Sequence, residues 1–342
     1  VAKAEAALGL DIEAIFDNLR LGPPIGTLSN LTQVKVDPPE TPLVRAGESR
    51  SLILHPSDPA GTAAAARLAE AIRARTGAAP ACRPGRPDDA QPAEHAILLG
   101  TVDSNPALAV LYARRMTPVD SVCPGQGGAL VHTVSDPFGK DANVIVAGAA
   151  DEAGLNRAVD ILIGVINAQP AGPDLALPRL FERAYGEDFL KVCSWADDEP
   201  AANRLQAGLA EGRSALDRGQ HTSIAGVLAG LADRYRFTGH SVEATLYVQL
   251  WDMYAASAVA DPRKFGGPWG FDSDFPSRQV ITGWDLIEDD PALSDEDRLR
   301  TVTSMGRWIA EAVVPEAASG ARSTHVPHNH QTFPALGCLA AG

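Results

Sequence analysis

The hydrophobic rhythm of this chain changes once, near residue 190, and that change limits the fold more than any other feature. Before it, short apolar runs alternate with helical stretches. Ser51-Leu-Ile-Leu-His55 and Ala96-Ile-Leu-Leu-Gly100 read as buried strands, and residues 61–76 as a helix stopped by Gly77. Residues 105–115 suit a short helix, 129–134 and 143–147 two further strands, and 151–167 an amphipathic helix. Asp136-Pro137-Phe138-Gly139 supplies the turn between the last two strands. After residue 190 every periodic stretch is helical: 199–218, 223–235, 241–258, 278–288, 295–314 and 333 to the end. Ser294 ahead of Asp295-Glu296-Asp297 is a helix start with acids where the dipole favours them.

Two rhythms in one chain predict an α+β multidomain protein. The expected parts are a loop-rich segment over 1–45, broken by Gly22-Pro23-Pro24 and Pro38-Pro39, a small α/β layer domain over 46–170, a linker over 171–189 and an all-α domain over 190–342. A chain of 342 residues with 45% hydrophobic and 21% charged residues has the material for such cores. No stretch approaches the ~20 apolar residues of a membrane helix, so no membrane partner is expected. Lys and Arg number 29 against 43 Asp and Glu, a formal charge of −14, and no basic run offsets it, which argues against nucleic acid. The first residue is Val, which predicts processing or trimming. The last residues, Cys338-Leu-Ala-Ala-Gly342, stop within an apolar helical pattern, as expected of the N-terminal portion of a longer catalytic chain. Cys82, Cys123, Cys193 and Cys338 contain no CxxC pair and allow three disulfide connectivities.

The densest polar cluster is Thr324-His-Val-Pro-His-Asn-His-Gln-Thr-Phe-Pro334, with three of the eight histidines in six residues. Pro327 and Pro334 restrict the backbone and suggest a loop entering a helix. Three readings fit. In a lyase acting on a uronic-acid polymer, the Asn329 amide hydrogen-bonds the substrate carboxylate and a neutral His removes the adjacent carbon-bound proton. In a metal site, His325, His328 and His330 supply three imidazoles with an open fourth position, although HxxHxH is not a strong metal motif. In a structural role, the same groups cap helix ends and satisfy backbone groups.

A second concentration, Lys264-Phe-Gly-Gly-Pro-Trp-Gly-Phe-Asp-Ser-Asp-Phe275, interleaves glycine with aromatic rings and continues through Arg278 to Trp284. Trp269, Phe271 and Trp284 offer faces on which sugar rings stack; the alternative is that Trp284 and Trp308 fill a helical core. Asp285, Glu288, Asp289 and Asp290 supply carboxylates that a glycosidase would need as a facing pair, or that simply solvate a turn between helices. His221 and His240 read as capping or core histidines. Gly125-Gln-Gly-Gly128 lacks the Lys-Ser/Thr of a phosphate loop, and Gly-x-Ser-x-Gly is absent.

Residues 51–167, with Leu-Ile-Leu-His55, Ile97-Leu-Leu-Gly100 and Val144-Ile-Val-Ala-Gly148 followed by Asp151-Glu-Ala-Gly-Leu-Asn-Arg-Ala158, resemble the accessory α/β domain that precedes the catalytic domain in β-hexosaminidases and α-glucuronidases. Residues 190–342, with Trp284-Asp-Leu-Ile-Glu288, Leu293-Ser-Asp-Glu-Asp-Arg298 and His328-Asn-His-Gln-Thr-Phe-Pro-Ala-Leu-Gly337, resemble the α/α-toroid polysaccharide lyases of the heparinase and alginate lyase type. The resemblance implies an incomplete α/α toroid, an acidic polysaccharide or oligosaccharide as partner, no cofactor and a secreted or periplasmic location. It makes Asn329 the carboxylate neutraliser and His330, or in second place His328, the base. Trp269, Arg278, Trp284, Gln331 and His325 would then bind substrate, and the catalytic Tyr would lie beyond Gly342. Arg278, Arg307, Arg322 and Lys264 are expected to line a positive cleft. Two alternatives remain at this level: a glycoside hydrolase on the same toroid using Glu288 or a neighbouring Asp, and a non-catalytic carbohydrate-binding protein.

Overall fold

The computed structural model describes residues 32–36, 38–89, 91–260 and 276–313. The chain is mixed α+β and divides into two compact units. Among the described residues, one comprises Lys35–Ala201 with Arg234–His240; the other comprises 32–34, 202–233, 241–260 and 276–313.

The α/β unit contains β1 (Glu40–Arg45), β2 (Glu48–Ser49), β3 (Ser51–His55), α1 (Pro59–Thr76), β4 (Ala81–Pro84), β5 (His95–Leu99), α2 (Ala109–Ala113), β6 (Ala129–Val134), β7 (Val144–Gly148), α3 (Glu152–Ala168), β8 (Leu175–Pro178), β9 (Phe181–Ala184) and α4 (Glu187–Val192). Its main sheet runs β4-β3-β5-β7-β6-β9, and a small antiparallel sheet runs β2-β1-β8. Strands β4, β3, β5 and β7 are parallel, while β6 is antiparallel to both β7 and β9.

Parallel strands covered on both faces need apolar side chains at every position, which is why Leu52-Ile-Leu54 and Ile97-Leu-Leu99 are uninterrupted runs. Alternation divides them between two cores. Ile53, Ile97, Ile145 and Val131 face α1 and α3, with Leu68, Ile72, Leu155, Val159 and Leu162. Leu52, Leu54, Leu98, Val144 and Val146 face the opposite way, towards Leu108, Leu111, Val119, Tyr185 and Phe189. Each such side chain removed from water contributes about 1.5–3 kcal/mol.

The helix ends follow from local chemistry. Asp58 accepts the Gly61 amide at 2.6 Å to start α1, and Gly77 closes it in the left-handed conformation (φ 83°), its N–H donating to Arg73 O at 2.8 Å. Asp151 accepts the Gly154 amide at 2.7 Å through one oxygen and the Gly127 amide at 2.8 Å through the other. The Gly125–Gly128 turn is therefore part of the start of α3. A Cβ placed on Gly154 would lie 2.2 Å from Gly128 O, whereas one on Gly164, ten residues along the same helix, meets nothing within 4 Å. Gly154→Ala is expected to destabilise the unit by about 2–3 kcal/mol. Gly164→Ala should stabilise it by about 0.5–1 kcal/mol, since Ala is the better helix former. Denaturant midpoints of the two variants should move in opposite directions from the parent, and movement in the same direction would refute this account of the turn.

Two expectations differ from what is observed. Residues 171–189, expected to form a linker, supply β8 to the small sheet and β9 to the edge of the main one. Their short, half-exposed runs carry no strong apolar signal. The loop-rich segment 1–45 ends in a strand, β1, whose Pro42 stands where the pairing with β8 shifts register, a place where a missing N–H costs nothing.

The other unit contains α5 (Arg204–Asp217), most of α6 (His221–Thr238), α7 (Ser241–Ala260), α8 (Pro276–Ile287) and α9 (Asp295–Trp308), the last running into a π-helical turn at Ile309–Val313. Ser294 and Asp297 form a reciprocal capping box at the start of α9. No residue of α7 from Ser241 to Ala255 is exposed.

Candidate functional site

The geometry around α7 organises the helical unit. On one side Gly208 and Gly212 of α5, four residues apart, stand against Leu246 and Leu250; a Cβ at either glycine would lie 2.4 or 2.2 Å from a leucine methyl. On another side Gly283 of α8 lies against Tyr247, whose hydroxyl donates to Val280 O at 2.6 Å. Burial holds the Tyr247 phenol well above its ordinary pKa, so it stays protonated. Towards α9, Trp251 meets Trp308 edge-on at 5.6 Å and donates from Nε1 to Ser304 Oγ at 2.7 Å, and Arg300 grips Asp252 at 2.8 Å. Most of α7 is a core helix: its buried residues face its neighbours, and its half-buried residues Val242, Thr245, Gln249, Asp252 and Met253 form one stripe.

Charged and polar groups collect at its first turn. Glu243 is fully buried and forms an ion pair with Arg204, Nε to Oε1 2.7 Å. Ser241 Oγ donates to Asp290 Oδ2 at 3.0 Å, while Asp290 Oδ1 accepts the Ala292 amide at 2.9 Å. This cluster had no motif to announce it. For Glu243 the sequence trace is an acid placed in the first turn of an apolar helix, where the dipole favours it.

Of the residues expected to act on substrate, Asn329, His330, His328, Gln331, His325 and Trp269 lie outside the described residues, as do Lys264, Phe271 and Arg322. Arg278 and Trp284 are both on α8, six residues apart and so on different faces of the helix. Arg278 is exposed. Trp284 is 5% exposed, which is the placement of a core side chain, and a ring so enclosed offers no face for a sugar to stack on. Trp308 is buried completely. Arg307, expected near the cleft, pairs with Glu311 at 2.7 Å. Among the carboxylates of 285–290, Asp290 is 2% exposed and engaged with Ser241 and the Ala292 amide, while Asp285 is exposed.

In the α/β unit a cleft of about 600 Å³ opens where β3, β5 and β7 end, lined by Pro56, Asp58, Gly100, Ser104, Asp151 and Glu152. This is where open α/β sheets commonly bind ligands. Here the chemistry opposes an anion, because Asp58 and Asp151 already occupy the amides that a phosphate or carboxylate would need. A second cleft of about 730 Å³, lined by Pro38, Pro42, Arg45, Arg50, His95 and Lys140 together with Glu40, Glu94 and Asp141, carries both signs of charge. His95 accepts the Asn143 amide at Nδ1 (2.9 Å), and burial lowers its pKa.

Among the described residues no group of three or more His, Cys, Asp or Glu side chains is arranged to hold a metal ion. No helix among them is long and apolar enough to cross a membrane. No protein-family model matches the chain, and no curated protein matches it.

Proposed function

We propose that this chain is a polysaccharide lyase that cleaves a uronic-acid-containing polymer by β-elimination. The observation that carries the reading is His325-Val-Pro-His-Asn-His330, a run that supplies an amide and imidazoles together. In this reading the Asn329 amide donates to the uronate carboxylate and stabilises the charge that develops when the neighbouring carbon loses its proton. His330, with His328 as the second choice, takes that proton; the electron pair forms the new carbon–carbon double bond, and the glycosidic oxygen leaves. Trp269, Gln331, His325 and the exposed Arg278 bind the sugar chain. A largely buried helix such as α7, with shorter helices packed against it, suits the inner ring of an α/α toroid. The formal charge of −14 opposes a polyanion at long range, so cations such as Arg278 act within the ~8 Å over which charge is felt at physiological salt.

The test is absorbance at about 230–235 nm, where the conjugated product of elimination absorbs, with alginate, glycosaminoglycans and pectin offered in turn. One polymer should give a rise, and Asn329→Ala should reduce the rate by about 10²–10³-fold, the loss expected for a charge-stabilising donor. New reducing ends without absorbance would replace elimination with hydrolysis, and binding without either product would leave a carbohydrate-binding protein.

A further inference from the structure

Four cysteines leave three pairings open on paper, and the main sheet of the α/β unit removes two of them. Cys82 lies on β4 in register with Ile53, and its thiol approaches Ala65 O of α1 at 3.8 Å, so it sits on the face that carries α1 and α3. Cys123 belongs to the core on the opposite face, with Tyr185, Phe189 and Leu130, and Cys193 packs against that same core. The sheet therefore stands between Cys82 and the other two thiols.

On that second face the loop after Cys123 runs along the helix that ends at Cys193. Gly186 N–H donates to Pro124 O at 2.8 Å, and Gln126 N–H donates to Asp188 at 2.9 Å, which lays the loop after Cys123 along the start of α4. A Cβ on Gly125 would lie 2.9 Å from the Phe189 Cβ. Cys193 sits one helical turn beyond Phe189, its N–H donating to Phe189 O at 2.9 Å. Both cysteines are free thiols in this structure, Cys123 buried and Cys193 half-buried.

We infer that Cys123 and Cys193 are a disulfide-forming pair, and that oxidation by a small-molecule disulfide of the glutathione type ties the Cys123–Gly128 loop to the end of α4. The reachable Cys193 thiolate attacks one sulfur of the oxidant and releases one thiolate, leaving a mixed disulfide on Cys193. Cys123 then gives up its proton and attacks Cys193 Sγ, releasing the second thiol. Two protein thiols are oxidised and one small disulfide is reduced to two thiols. Burial raises the pKa of both thiols, so the reaction is slow at neutral pH and quickens as pH rises.

The full chain is incubated with oxidised glutathione, quenched with N-ethylmaleimide and digested without reductant for peptide mass spectrometry. The expected product is a single cross-link between the Cys123 and Cys193 peptides, with Cys82 alkylated. The cross-link closes a loop of 70 residues and should raise Tm by roughly 5–10 °C, reversed by dithiothreitol and absent in Cys193→Ser. Recovery of Cys193 joined only to glutathione beside a free Cys123 would overturn the inference. A cross-link from either residue to Cys82 or Cys338 would overturn it equally. Cys82→Ser, on the other face of the sheet, should leave the Cys123–Cys193 product unchanged.

Discussion

Asn105→Asp is expected to destabilise the α/β unit by about 4 kcal/mol, without any change in the size of the side chain. Asn105 is completely buried. Its Nδ2 donates to Leu54 O at 3.1 Å and to Leu99 O at 2.9 Å, joining carbonyls at the C-terminal ends of β3 and β5, and its Oδ1 accepts the Ala107 amide at 3.2 Å. An aspartate keeps the acceptor and loses both donors, so a carboxylate oxygen faces two carbonyl oxygens in a fully buried site. Each buried group left without its partner costs about 1–3 kcal/mol, and the charge adds its own desolvation penalty. The measurement is a denaturant midpoint together with amide hydrogen exchange of β3 and β5. Unchanged protection in those two strands would show that the amide does not hold them together.

Acid should weaken the same unit through one histidine. His132 on β6 is buried, with Nε2 3.1 Å from Thr117 Oγ1, and burial first, then the cations of Arg179 and Arg236, hold its pKa down to about 3. An unfolded chain binds the same proton near the ordinary value of about 6.5. Between those two values the unfolded state holds more protons than the folded one, so stability rises with pH there and falls on acidification. The contribution is intact above the unfolded pKa and declines by about 1.4 kcal/mol per pH unit below it, down to the folded pKa. His95, whose pKa burial also lowers, pulls in the same direction. A comparison of the parent with His132→Gln in urea from pH 7.5 to pH 4 isolates the effect. The parent should lose stability more steeply, by the equivalent of one proton. Parallel curves would mean that His132 is not held neutral.

The parallel strands were the most legible part of the fold because strands covered on both faces cannot hide their apolar runs. Leu52–Leu54, Ile97–Leu99 and Val144–Val146 are continuous in the sequence and central in the sheet. Gly77 and Ser294 marked helix ends for reasons of backbone conformation and side-chain reach that the structure repeats. What escaped was the periphery. Strand β4, paired to β3, is exposed at all four residues, Ala81 to Pro84, so no pattern of burial is written into it. Strands β1 and β8 make their sheet mostly with each other, and Pro42 hides the first of them.

At the candidate site the difficulty was of another kind. A tryptophan is the same residue whether it stacks on a sugar or fills a core, and helical spacing does not separate the two. Burial places Trp284 in the core and leaves Arg278 exposed one and a half turns earlier. The Glu243–Arg204 pair was invisible for the opposite reason: its partners are 39 positions apart, and nothing local marks an ion pair made between helices.

The largely buried helix α7 also bears on how the helical unit assembles. A helix with one wet side can form early and wait for its neighbours. From Ser241 to Ala255, α7 keeps only a half-buried stripe through Thr245, Gln249 and Asp252, so any state in which α5, α8 or α9 has not yet docked leaves Leu246, Tyr247, Leu250, Trp251 or Tyr254 in water. Such half-built states are sticky as well as unstable. The unit therefore has reason to come together in one step, and a chain released before its last helices are in place would need shelter from its own kind.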